Sequence, residues 1–134
     1  MGKVKPTRDM ELGRHARKAV QAIRDRGHTI RTEENNKGQV CLIGAVRKVV
    51  APMGSMKAAG VVNDFNIRFG EWMKENYPMD ADAEYLVSLF NEFSNGFGYA
   101  APPATTWNDR ILLHSEEACA WLGKFADAMD PQRP

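Results

Sequence analysis

The sequence is poor in the features that announce a function. It has two cysteines, Cys41 and Cys119, three histidines and no Cys-x-x-Cys pair. That excludes a disulfide-framed secreted domain and leaves no ligand spacing for a structural zinc. No glycine-rich loop is followed by Lys-Ser or Lys-Thr, so a nucleotide phosphate has no cradle of that kind. Metal and cofactor are both expected to be absent. No run approaches the roughly 18 consecutive apolar residues that span a bilayer. The opening MGKVKPTRDMELGRH carries cations with no apolar stretch behind them, so neither a membrane span nor a secretory leader is expected. The cytoplasm follows as the default address. Net charge is nearly missing too, at +1.

What is present is material for one core. The 134 residues are 43% hydrophobic, 26% charged and 9% aromatic, which fits a single folded domain over 9–130. A basic tail at 1–8 and a frayed end at 131–134 would flank it. Charge is laid out unevenly. Residues 1–31 hold nine Lys or Arg against three Asp or Glu, a net of +6, which leaves −5 for the rest. The two regions can attract each other, or the basic one can meet a polyanion.

Periodicity predicts a mainly α protein, a compact bundle of about five helices with room for a short β-hairpin near 29–42. Leu12, Ala16, Ala19, Val20 and Ile23 form a stripe on a first helix that starts at Asp9, is capped by Thr7 or Asp9, and stops at Gly27. A second helix begins near Cys41 and ends at Pro52 and Gly54. A third runs over 58–76 with Val61, Phe65, Phe69 and either Trp72 or Met73 inward. A fourth, over 80–94, is expected to bury Leu86, Leu89, Phe90 and Phe93. Residues 95–106 read as a loop, and the last helix starts at Ser115, whose hydroxyl caps it, and ends at Asp130-Pro131.

Three segments carry a resemblance: Gly38-Gln39-Val40-Cys41-Leu42-Ile43-Gly44-Ala45, Trp107-Asn108-Asp109-Arg110, and the helix start Ser115-Glu116-Glu117. Together they resemble a domain of unknown function found in actinobacteria and their bacteriophages. In that family a helix precedes a Cys-x-x-Gly-Ala segment, and Trp-Asn-Asp precedes a C-terminal helix. The resemblance covers about residues 10–129, with 52–104 matching in length and helical character only. It implies a phage or actinobacterial origin and a small helical fold, and it names no ligand.

Each motif has a functional and a structural reading. Cys41 in a first helical turn gains thiolate character from the dipole, and His114 or His28 with Asn108 or Asp109 would complete a Cys-His-Asn hydrolase set. Its apolar neighbours Leu42 and Ile43 point instead to core. Gly44 and Ala45 read as small residues that admit a second helix or the Trp107 ring. Asn108 and Asp109 read as a rigid turn before the last helix, or, with Trp107 and Arg110, as a pocket shared with Cys41. Arg14, Arg17, Lys18, Arg24, Arg26 and Arg31 supply phosphate-binding cations without a groove-reading motif.

The leading expectation is a small non-enzymatic binding or regulatory module that docks on a host or phage protein, with Arg14, Lys18, Trp72 and Tyr99 as outward contacts. Nucleic-acid binding through residues 1–31 is the alternative. A Cys41-dependent hydrolase comes last.

Overall fold

The computed structural model describes residues 6–93 and 100–131, with the backbone alone at Phe93. Tyr99, most of the expected N-terminal tail and the last three residues lie outside them. The described residues form six α-helices and no sheet: α1 (Arg8–Arg26), α2 (Leu42–Val50), α3 (Ser55–Asn76), α4 (Ala81–Phe93), α5 (Ala104–Arg110) and α6 (Ser115–Met129). A single 3-10 turn, Ala51–Met53, joins α2 to α3.

Local chemistry sets the ends of α1. The Thr7 hydroxyl accepts from the Met10 N–H at 3.1 Å, and Asp9 and Glu11 occupy the first turn where the dipole favours acids. Gly27 ends the helix at φ +93° and ψ 160°. The positive φ is the one expected of a glycine stop, but the chain leaves extended rather than left-handed. Leu12, Ala16, Ala19 and Ile23 are buried, and this stripe packs on α2 and, most extensively, on α6.

The core beyond α1 is aromatic. Phe65 and Phe69 of α3 meet Phe125 of α6 edge-on at 5.3 and 5.2 Å. Trp72 continues the chain to Phe125 and Trp121, and Tyr77 bridges Trp121 to Trp107 of α5 at 5.0 and 5.6 Å. Edge-to-face geometry of this kind adds to area burial. Trp72, which the sequence offers both for the inward stripe and as an outward contact, is only 7% exposed, and Met73 is buried beside it. Its ring is sandwiched between α3 and α6, which removes it as a contact residue.

Other expectations are corrected as well. No hairpin forms at 29–42 among the described residues. Val40 makes two isolated bridges, to His28 and Glu34, so its backbone is satisfied by folding the loop around it rather than by pairing two strands. The chain between 104 and 110 is the short helix α5, so Trp107, Asn108 and Asp109 are helical and make no turn. Ser115 is the first residue of α6 and His114 its N-cap, with no side-chain cap bond. On α4, Leu86 is buried, but Leu89 and Phe90 are only half-buried.

Candidate functional site

Cys41 stands at the N-cap of α2, and its Sγ accepts from the Gly44 N–H at 3.3 Å. It is 3% exposed. Burial pushes its thiol pKa up, the Gly44 and Ile43 N–H groups pull the other way, and Glu33 and Asp109 push it further up. A buried thiol beside two carboxylates stays protonated, the reverse of an activated nucleophile. His114 is exposed at the head of α6, and among the described residues none of its hydrogen bonds reaches Cys41 or Asn108.

Gly44 is small for a reason the sequence did not disclose. A Cβ there would lie 2.0 Å from the Glu33 carbonyl oxygen. The group that needs the space is the backbone of the 28–39 loop, not a second helix or the Trp107 ring. That loop is pinned in return, because the Cys41 N–H donates to the same Glu33 carbonyl at 3.1 Å.

Asn108 joins the two sequence motifs. It is fully buried, and its Oδ1 accepts from the Leu42 N–H at 3.2 Å and lies 2.6 Å from His28 Nε2. An amide oxygen only accepts, so Nε2 carries the His28 proton. The Asn108 amide nitrogen donates to the Thr29 carbonyl at 3.2 Å and to Asp109 Oδ1 at 2.9 Å. Every polar position of the side chain is filled. Asp109 Oδ1 also accepts from the Arg31 N–H at 2.8 Å, which holds Arg31 at φ +68°, a conformation uncommon outside glycine. The Cys41 and Trp107 motifs therefore touch, and their contact fastens the 28–39 loop to α2 and α5. Trp107 itself is fully buried, and its Nε1 donates to the Pro102 carbonyl at 3.0 Å. A cavity of about 200 Å³ remains beside the hub, lined by Arg31, Thr32, Glu33, Cys41, Thr105 and Asp109.

The basic first helix is largely engaged within the molecule. Arg17 donates to Asp130 Oδ2 at 2.7 Å, to the Asp130 carbonyl, and at 3.4 Å to Asp127. Arg14 reaches the same Asp130 carboxylate at 3.6 Å, and Arg26 reaches Glu34 at 3.7 Å. Lys18 and Arg24 are exposed, and no ion pair among the described residues involves them. The charge asymmetry along the chain is thus spent in part on docking α6 to α1.

A concavity lies elsewhere, between α4 and α5. It measures about 530 Å³ and is lined by Asp82, Tyr85, Leu86, Leu89 and Phe90 of α4 with Thr106, Arg110 and Ile111. Asp80 caps α4, accepting from the Ala83 N–H at 2.9 Å. Asp82, Tyr85, Leu86 and Leu89 then fall at i, i+3, i+4 and i+7 on one face. Tyr85 is 66% exposed. Of the candidate binding residues Arg110 is in this groove, together with Leu86, Leu89 and Phe90, which the sequence assigns to the core. Asp82 and Tyr85 were missed, although the spacing that aligns them with Leu86 and Leu89 is visible in the chain.

Among the described residues no group of three or more His, Cys, Asp or Glu is placed to hold a metal ion, and no helix is long and apolar enough to cross a membrane. The described residues form a small all-helical bundle. No family model, curated protein or solved structure matches the chain.

Proposed function

We propose that the chain is a non-enzymatic docking module and that the α4–α5 groove is its contact surface. The observation that carries this reading is the exposure of Tyr85 over an apolar floor of Leu86, Leu89 and Ile111. A large aromatic at the lip of such a groove is the kind of group that anchors interfaces. The buried, protonated Cys41 supports the non-enzymatic half of the proposal. The resemblance to actinobacterial and phage domains supports a docking event in a bacterial cytoplasm, with a phage or host protein as partner.

Nucleic acid remains the second reading because Lys18 and Arg24 project from α1 with no ion pair. The engagement of Arg14 and Arg17 by Asp130 weakens it, since phosphate binding draws on clustered cations. One experiment separates the two. Tagged chain and its Y85E variant are used for capture from actinobacterial lysate with and without nuclease. Docking through the groove yields a discrete protein that survives nuclease and is lost with Y85E. Recovery that vanishes with nuclease and ignores Y85E, but falls when Lys18 and Arg24 are neutralised, selects nucleic acid.

A further inference from the structure

The α4–α5 groove carries one charge of each sign around its apolar floor. Asp82 stands in the first turn of α4, and Arg110 is the last residue of α5. Both are exposed and both line the groove, yet neither takes part in an ion pair among the described residues. Tyr85, Leu86 and Leu89 continue the α4 face that Asp82 begins. In a two-fold assembly the same patch serves both sides, so residue i meets j while j meets i. An acid and a base of one groove then answer each other across the axis, and the apolar stripe meets its own copy. A strongly charged partner gains nothing from such a surface, because whichever sign it bears, one of the two groups repels it.

We infer that the occupant of this groove is a second copy of the chain, with α4 antiparallel to its symmetry mate and Asp82 of each protomer opposite Arg110 of its partner. This rests on the reading of the groove as a docking surface and names what docks there. The antiparallel arrangement is that of a two-fold axis set perpendicular to α4, which reverses the helix. Tyr85 lies within the contact, which covers a ring that is largely in solvent on this face.

The test is sedimentation equilibrium of the full chain over a concentration series, with D82R, R110D and the double swap D82R/R110D. The wild type is expected to show a monomer–dimer equilibrium. Each single reversal sets like charges opposite each other twice per dimer and raises Kd by about tenfold or more. The double swap restores the opposite-charge pairs and returns Kd to within about threefold of the wild type, about 0.7 kcal/mol by the usual conversion. Damage to α4 by D82R alone would not be rescued by a change on α5, so rescue identifies the pairing. A wild type that stays monomeric, or a dimer that ignores both reversals, overturns the inference. If the chain is monomeric and Y85E still loses a captured protein, the occupant is foreign and the docking reading survives. If Tyr85 affects neither self-association nor capture, both fail.

Discussion

The end of the molecule built on Asn108 and the face built on α4 use similar residues to opposite effect. Around Asn108, polar groups are committed: the side chain fills all its hydrogen-bonding positions, Asp109 fixes a strained Arg31, and Cys41 caps α2. Along α4, Tyr85 is largely in solvent and Asp82 and Arg110 have no ionic partner among the described residues. A buried polar group without a partner costs free energy, whereas an exposed one is satisfied by water. The hub therefore marks where the fold is specified, and the motif residues found there are explained without a ligand. Along the groove Tyr85, Asp82 and Arg110 are instead left to solvent.

The sharpest way to break this contrast is Asn108→Ala. It strips partners from the Leu42 N–H, the His28 ring and the Thr29 carbonyl together, at about 1–3 kcal/mol for each group left buried and unsatisfied. Relaxation and water entry recover part of that, so the expected loss is about 3–5 kcal/mol, read as a fall in the denaturant midpoint. A loss below about 1 kcal/mol, the size of one ordinary hydrogen bond, would show that the loop is held by something other than Asn108.

Next in size is a pair of neighbouring cations on α1. Arg17→Ala leaves the Asp130 carboxylate, 12% exposed, without its 2.7 Å partner. Hydrogen bonds to charged groups are worth about 1.5–3 kcal/mol, and the expected loss is about 2 kcal/mol. Lys18→Ala, one residue on and exposed, should stay within about 0.5 kcal/mol. Equal effects would mean that the ion pair at the α1–α6 seam contributes no more than a solvated lysine.

These two regions were not equally legible in the sequence. The helix α1, its Thr7 cap and its Gly27 stop were readable because each depends on residues within one or two turns. Trp72 fits either side of α3 in the sequence because a one-face stripe describes a helix with one neighbour, and α3 meets α2, α5 and the aromatic side of α6 together. Helix α5 falls where the sequence reads as a loop to 106 and a rigid turn at Asn108 and Asp109, because seven residues behind Pro102-Pro103 carry no periodic signal. Its start is stabilised from outside, by Asn66 Oδ1 accepting from the Thr105 N–H at 3.1 Å. The contact between the Cys41 and Trp107 motifs is one of two open readings in the sequence, because it joins residues 66 apart and no local pattern selects it. The groove was half legible. Leu86 and Leu89 were assigned to the core, and an amphipathic stripe looks alike whether it faces its own fold or another molecule.

A smaller effect concerns pH. His15 has a buried Nδ1 with no hydrogen-bond partner, and its pKa is lowered from 6.5 by burial first and by Lys18 second, with Glu11 opposing. The unfolded chain takes up this proton before the folded one does. Stability from this group is therefore complete above about pH 6.5 and is lost as pH falls through the lower folded value. The denaturant midpoint should decline as pH falls below about 6.5, and His15→Gln should flatten that part of the decline. A wild-type midpoint that is level there would mean that solvent reaches the ring in both protonation states.

The smallest expected change in stability is the one that sharpens the comparison most. Tyr85→Glu replaces an exposed ring with a good helix former on α4, and the thermal midpoint should move by no more than about 0.5 kcal/mol of stability allows. Binding at the groove should nevertheless be lost, because the anchoring ring is gone and a carboxylate now sits on the apolar floor. Leu86→Glu, at a side chain 7% exposed on the same face, separates packing from recognition: it should destabilise the fold as Tyr85→Glu does not. If the two substitutions cost the same stability, the α4 face is ordinary core, and the division between a committed hub and an uncommitted groove fails at its weakest point.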